Sequence, residues 1–325
     1  MMKRKIIDLF SGCGGLTYGF YHNDFDIVES VEHWQPALDT YNLNFHKNEQ
    51  IKDITDPNVI DQIEAKFKNN IDIIIGGFPC QGYSMAGKRN PNDHRNQLYK
   101  YTIDIIDRVK PKLFVLENVK GILSFKESDG NLVIDKIMNT LNQKGYYSQY
   151  VLLDASNFGV PQKRERVIFI GSSFNNKDKV DLVIERLKNT KFPLKTVYDA
   201  IHDLENAAES HDFNHIFTQH TPQMVERIKN TPEGKSVMNG YSDAFRRQYY
   251  NKPSTTVKEN HGGVHVHPKL NRVMTPRELA RLQSFPDDFI FKSTKSNILK
   301  QIGNAVPPKL SDEIAKIILE IFYND

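Results

Sequence analysis

The chain has 325 residues, 39% hydrophobic and 26% charged, with a formal net charge of +3. That balance excludes a disordered chain, and the length points to two domains rather than one. The weak net field excludes a uniformly basic coat, so a nucleic-acid partner would need a local basic surface. Two cysteines, Cys13 and Cys80, are too few for a disulfide framework. The opening MMKRKIIDLFSGCGG runs straight into a strand-like segment without a signal-peptide pattern, and the longest apolar stretches are far short of a membrane span. A cytoplasmic chain with no membrane partner and free thiols is expected.

Strand-like runs at 5–10, 25–31, 71–77, 112–119, 147–155 and 166–172 alternate with amphipathic stretches at 35–44, 59–68, 97–109 and 132–144. Continuous apolar strands separated by helices predict an α/β fold around a parallel sheet covered on both faces. Ligands in such sheets sit beyond the carboxyl ends of the strands, so the informative loops follow residues 10, 31, 77 and 119. Residues 173–270 are polar, rich in Asn, Lys and His, and interrupted by Pro193, Pro222, Pro232, Pro253 and Pro268. They read as a smaller, irregular domain. A helix over 276–283 follows, with Thr275 as N-cap and Pro276 at its first position. A last amphipathic helix over 311–322 is expected to pack back on the first domain.

The loop after the first strand, DLFSGCGGLTYGF, carries Gly12, Gly14 and Gly15. Such a turn brings backbone close to a ligand, and the helix after it offers free N–H groups. It departs from GxGxxG and lacks the Lys-Ser/Thr of a phosphate loop, so a plain strand–helix turn is the alternative. Glu32 lies past the second strand, at the separation expected of a carboxylate that binds ribose hydroxyls. His33 and Trp34 follow, and either ring could stack on adenine. Asp53 could accept from an exocyclic amine. The third strand ends in Gly-Gly, and Phe-Pro then presents Cys80. A lone cysteine after a strand is commonly a small buried hydrophobe. A reactive one needs cationic or helix-terminal help, because a free thiol titrates near ~8.5.

Six segments in order resemble the motifs of the cytosine-5 DNA methyltransferases of bacterial restriction–modification type: DLFSGCGG, GGFPCQGYS, ENVKG, QKRERVIFIG, RELARLQSFPDDF and QIGNAVPP. The resemblance implies a Rossmann-like S-adenosylmethionine-dependent domain with a mostly parallel seven-stranded sheet. That domain would span 1–172, completed by 299–325, with a small target-recognition domain over 173–298. It implies that Cys80 adds to carbon 6 of a flipped-out cytosine so that carbon 5 can take the methyl group, which is covalent catalysis. Glu117 would contact ring nitrogen 3 and the exocyclic amine. Arg164 and Arg166, on one strand face with Gln162, would bind the base carbonyl and favour the Cys80 thiolate.

The same resemblance assigns the cofactor to Phe10, Gly12, Cys13, Gly14, Glu32, His33, Asp53, Ile54, Pro79, Leu98, Asn304 and Val306, with S-adenosylhomocysteine as product. DNA contacts would come from Ser84, Lys88, Arg89 and Arg95 in a mobile catalytic loop. Further contacts would come from Gln162, and from Arg246, Thr255 and Thr256 in FRRQYYNKPSTTV. The recognition stretch also offers Arg227, Lys229, Lys235, Arg247, Lys252 and Lys258, interleaved with Tyr241, Tyr249 and Tyr250. His265 and His267 suggest a metal pair, but no fourth ligand accompanies them and no metal is expected.

The implied partners are double-stranded DNA, through which the protein would associate with the nucleoid, and a cognate restriction endonuclease. The chain itself is expected to be a monomer. Three rivals share parts of the pattern. The separate polar recognition region and the absence of a Cys-Phe-Thr signature argue against a tRNA cytosine methyltransferase. A non-catalytic DNA-binding homologue would not need Cys80, Glu117 and Arg166 together. A nucleotide-dependent oxidoreductase leaves the PCQ, ENV and QKRER segments unexplained.

Overall fold

The computed structural model describes residues 3–79, 97–238, 245–259 and 265–324. One sheet holds six strands: β1 (Arg4–Leu9), β2 (Phe25–Val31), β3 (Ile73–Gly76), β4 (Leu113–Val119), β5 (Tyr146–Asp154) and β6 (Glu165–Ser173). Their order is β2-β1-β3-β4-β6-β5, with β6 antiparallel to both its neighbours and every other pairing parallel. All six lie where the apolar runs put them.

The seventh strand is absent among the described residues. Past the free edge of β2 the chain makes one ladder-like contact, from the Lys52 N–H to the Glu32 carbonyl at 2.9 Å. Asp53 then turns the backbone by accepting from the Thr55 N–H, and no ladder extends from that single bond.

The central strands lack alternation because both faces are covered. In β1, Ile6 joins one core and Ile7 the other, both fully buried, because successive side chains point to opposite faces. On the first face lie α1 (Gly15–Tyr21), α2 (Gln35–Phe45), α6 (Lys177–Asn189) and α11 (Pro308–Ile318). On the second lie α3 (Pro57–Phe67), α4 (Leu98–Val109) and α5 (Val133–Gln143). Gly19 of α1 lets α11 approach so closely that a Cβ there would overlap the Ser311–Asp312 backbone.

The apolar core does not divide at residue 172. Val180, Val183, Ile184 and Leu187 form a buried stripe at helical spacing on α6, and that stripe packs on β5 and β6. Residues of α7 (Val197–Ile201), α9 (Pro276–Leu282) and α10 (Lys295–Asn304) belong to the same continuous core. In the sequence the four apolar positions of α6 are hidden among its charged residues.

A separate small core, Ile228, Val237, Val266 and Val273, lies under α8 (Pro222–Lys229) and the paired strands β7 (Arg246–Arg247) and β8 (His265–Val266). So little apolar surface cannot hold irregular backbone by itself. The buried Arg247 guanidinium supplies the deficit, donating to the carbonyls of Ile228 at 2.8 Å, Pro268 at 2.9 Å, Thr231 at 3.0 Å and Lys269 at 3.2 Å. Arg277, fully buried, does the same for Phe213, Pro286 and Phe289.

Candidate active site

The loop beyond β1 enters the left-handed region at Phe10 (φ 56°), Gly12 (φ 55°) and Gly14 (φ 95°). Holding a bulky residue such as Phe10 there costs about 1–3 kcal/mol, strain of the kind that persists at binding sites. A side chain at Gly12 would meet nothing within 4 Å, so the loop is open on that side. A Cβ at Gly14 would overlap the Phe45 ring, and one at Gly15 would overlap the Val306 carbonyl oxygen. The loop is therefore closed from behind by α2 and by the segment that follows α10. Cys13 is buried, and burial pushes its thiol up to about 12, so this sulfur is inert.

Glu32 holds the loop in place. Its Oε2 accepts from the Gly12 N–H at 2.9 Å and its Oε1 from the Trp34 N–H at 2.7 Å. Each carboxylate oxygen has a further lone pair, so ribose hydroxyls can be accepted without breaking either bond. The His33 imidazole is exposed and lies 3.3 Å from Glu32 Oε1, an interaction that raises its pKa. Trp34 is half-buried, with the Lys300 ammonium 4.6 Å from its ring centre.

Asp53 is exposed, and its carboxylate is held below the usual range by bonds from the Thr55 backbone and hydroxyl. Ile54 is buried beneath it, Pro79 and Leu98 are half-buried, Asn304 is exposed and Val306 is buried. The structure thus joins Gly12 to Glu32, Glu32 to the 52–54 turn, and Gly15 to Val306. An adenosyl group fits this chemistry: an open glycine backbone, a two-oxygen acceptor, an exposed imidazole and a half-buried indole.

At the end of β4, Glu117 lies beside the segment that follows β3. A Cβ on Gly77 would lie 3.0 Å from Glu117 Oε2, a tight contact that would press on this carboxylate. The Asn118 amide donates to the Phe78 carbonyl at 3.1 Å and anchors the chain two residues before Cys80. Cys80, Ser84, Lys88, Arg89, Arg95 and Tyr241 lie outside the described residues. Glu117 faces Arg166 across the β4–β6 pairing, with Arg166 Nε 2.7 Å from its Oε1. Burial raises the Glu117 pKa, and the Arg166 and Arg164 charges oppose the shift. The result is a buried carboxyl oriented by a guanidinium.

Two residues expected to contact substrate are buried among protein partners. Gln162 is fully buried: its amide nitrogen donates to the Leu282 carbonyl and to Gln283 Oε1, and its oxygen accepts from the Val257 N–H. Arg164, only 1% exposed, donates to the carbonyls of Val257 and Gly303. Both lie just before β6 and are covered by Val257 and by the C-terminal end of α10, which Arg164 meets directly and Gln162 through Gln283. Arg166 pairs directly with Glu117, and the Arg164 charge acts on the same carboxyl.

In the recognition region Arg246 is half-buried on β7, Thr255 bonds to Gln248 Oε1, and the Thr256 hydroxyl donates to the Lys163 carbonyl at 2.8 Å. His265 and His267 are both tied to backbone. His265 Nε2 lies 2.9 Å from the Thr255 carbonyl oxygen. His267 Nδ1 accepts from the N–H groups of Lys269 and Leu270, and burial lowers its pKa to about 4. Among the described residues no three His, Cys, Asp or Glu side chains are grouped to hold a metal ion. Sequence reasoning missed Asn118, Gln283 and Gly303 as organisers. All three sit inside recognised motifs, which was the available signal.

A family model for C-5 cytosine-specific DNA methylase matches residues 4–320. Type II methyltransferase M1.HphI of Haemophilus parahaemolyticus is 36% identical over 100% of this chain and 89% of its own length. Type II methyltransferase M.NgoFVII of Neisseria gonorrhoeae is 36% identical over 98% of this chain and 87% of its own. Among solved structures, an E. coli prophage protein described as a DNA modification methyltransferase aligns with a TM-score of 0.79 at 27% identity, covering 98% of this chain and 99% of that one. The S. pombe Dnmt2 methyltransferase aligns with a TM-score of 0.68 at 17% identity, covering 99% of this chain and 100% of that one, and shares the fold.

Proposed function

Because the chain belongs to the C-5 cytosine-specific DNA methylase family, we propose that it methylates carbon 5 of a flipped-out cytosine in duplex DNA through a covalent Cys80 adduct. The observation that carries this reading is the buried Glu117–Arg166 pair beside the Gly77–Pro79 turn that leads to Cys80.

The Cys80 thiolate forms a bond to carbon 6, which makes carbon 5 nucleophilic. Glu117 holds a proton at ring nitrogen 3, so the electrons displaced by the thiolate rest on a neutralised ring. Arg166 keeps that carboxyl aimed and lies where a base carbonyl oxygen would be bound. S-adenosylmethionine, when bound, supplies the electrophilic methyl group and leaves as S-adenosylhomocysteine. Water takes the carbon-5 proton, and the electrons of that bond restore the ring double bond as the carbon 6–sulfur bond breaks. The thiolate returns to Cys80, and the nitrogen-3 proton goes back to Glu117. Glu32 would hold the ribose, Gly12 would line the open side of the loop, and Asp53 with Ile54 would meet the adenine.

The DNA would be gripped by Ser84, Lys88, Arg89 and Arg95 and by the segment carrying Arg246, Thr255 and Thr256. Extruding a base costs a few kcal/mol, offset by these contacts and by the pocket. The relatives named as Type II methyltransferases place the chain in a restriction–modification setting. There it would act as a cytoplasmic monomer on the site cut by a cognate endonuclease.

The test is methylation of a plasmid by the purified protein with S-adenosylmethionine, mapped by 5-methylcytosine sequencing. A single recurring duplex site is expected, together with a trapped adduct on 5-fluorocytosine DNA that Cys80→Ser abolishes. Wild-type methylation by Cys80→Ser would sink the covalent mechanism.

A further inference from the structure

We propose that Arg164 is a positioning residue that ties the DNA-recognition segment to the cofactor-facing segment, so that each ligand tightens the site of the other. This rests on the reading above, in which 255–256 meets DNA and 304–306 meets the cofactor.

Arg164 Nη1 donates to the Val257 carbonyl and Nη2 to the Gly303 carbonyl, both at 2.8 Å. Val257 directly follows the two threonines, and Gly303 directly precedes Asn304. One buried charge therefore has one hand on each segment. The surroundings allow little slack. Lys163 donates to the Ser254 carbonyl at 2.9 Å, the Ser254 N–H to Pro161 at 3.0 Å, and the Thr256 hydroxyl to Lys163. The Val257 N–H is held by Gln162, which also bonds to Gln283, and Gln283 donates to the Ile302 carbonyl at 2.6 Å. Thus 254–257 is stitched to 161–164, and 302–303 is stitched to the same strip.

The fit at Gly303 shows how close the two segments lie. A Cβ there would overlap the Lys258 carbonyl and the Glu259 nitrogen. Val306, three residues on, sits against the position where Gly15 lacks a side chain. At the surface a second tie joins the same two segments, since Lys300 Nζ lies 3.7 Å from Glu259 Oε1 and over the Trp34 ring.

Separating the carbonyls of Val257 and Gly303 would leave guanidinium hydrogens buried without partners, which is more costly than an ordinary lost hydrogen bond. The two segments therefore shift together. A ligand that fixes one has done part of the ordering the other requires, and linkage makes that coupling reciprocal. Arg166, two residues along the strand, brings the Glu117 pair into the same unit.

The experiment measures S-adenosylhomocysteine affinity with and without a duplex carrying the mapped methylation site. Wild type should show a coupling factor of about fivefold or more. Arg164→Lys, which keeps the charge but cannot span both carbonyls, should bring the factor to within about twofold of unity. Its affinity for S-adenosylhomocysteine alone should stay near wild type, which a merely destabilised protein would not show. If Arg164→Lys does not fold, Lys300→Met at the surface decides, with a reduced factor expected. Coupling equal to wild type in the deciding variant overturns the proposal, as does a wild-type factor of one. Failure of wild type to bind S-adenosylhomocysteine at all would instead overturn the cofactor reading.

Discussion

Arg166 Nε lies 2.7 Å from Glu117 Oε1, and each side chain is only 12% exposed. Two opposite charges so placed depend on one another. Removing one partner strands the other, at a cost of roughly 3–5 kcal/mol. Glu117→Gln should therefore lower the methylation rate by about 10²–10⁴-fold, while S-adenosylhomocysteine affinity, read by calorimetry, holds. Because burial raises this carboxyl's pKa, the wild-type rate should fall as pH rises through the raised value. Glu117→Gln should remove that limb of the pH profile. A wild-type profile flat on the alkaline side would count against proton donation by Glu117.

Glu32 accepts two backbone N–H bonds and, in the proposed complex, two ribose hydroxyls. Hydrogen bonds to a charged group are worth about 1.5–3 kcal/mol each. Glu32→Ala should weaken S-adenosylmethionine binding by roughly tenfold or more, and it should also loosen the Gly12 loop. Unchanged affinity in a titration would remove Glu32 from the site.

Gly12 and Gly15 make a contrasting pair. Alanine at Gly12 has room, so its cost is the left-handed backbone, about 1–2 kcal/mol. Alanine at Gly15 collides with the Val306 carbonyl and must push the returning segment away. Gly15→Ala should therefore lower the melting temperature more than Gly12→Ala and lose cofactor binding with it. Equal shifts in a thermal melt would contradict the close approach of Val306.

Asp8 is buried under the same loop, where it accepts the Thr17 hydroxyl, and burial raises its pKa from 3.8 to about 8. The protonated form is therefore favoured in the folded chain. Its contribution to stability is complete below about pH 4 and drains away as pH rises to about 8, where the buried group ionises. Within that window the slope approaches ~1.4 kcal/mol per pH unit. Asp8→Asn keeps an acceptor for Thr17 without the titration. Denaturant melts should show the variant gaining on wild type from pH 5 to pH 8, and a constant gap would refute the assignment.

The six strands were legible because buried strands write themselves as apolar runs bounded by glycine and charge. Thr275 and Pro276 were equally plain, and the structure shows the full capping box with Glu278. The seventh strand was implied by the resemblance rather than by any apolar run, and the described residues do not contain it. Gln162 and Arg164 show what alternation cannot carry. Parity put them on the face of Arg166, but whether that face is open depends on Val257 and Gly303, which lie 93 and 139 residues from Arg164. Local patterns do not encode which distant segment will cover a face. Arg247 misled for the same reason: a charge in a polar stretch looks solvated until its carbonyl partners, 16 to 22 residues away, are seen.

The contact of Gly15 with Val306 also fixes an order of events during synthesis. The glycine turn is made early, but its backing comes only after the recognition region has been translated. At ~5–20 residues per second that interval is on the order of 15–60 s. During it the nascent chain can present the recognition segment before the methyl-donor site is complete. Such long-range closure is also entropically slow. A chain broken off before residue 295 should therefore retain strands and the proposed recognition surface but not the activity. Supplying 295–324 as a separate peptide offers a direct way to switch the remainder on.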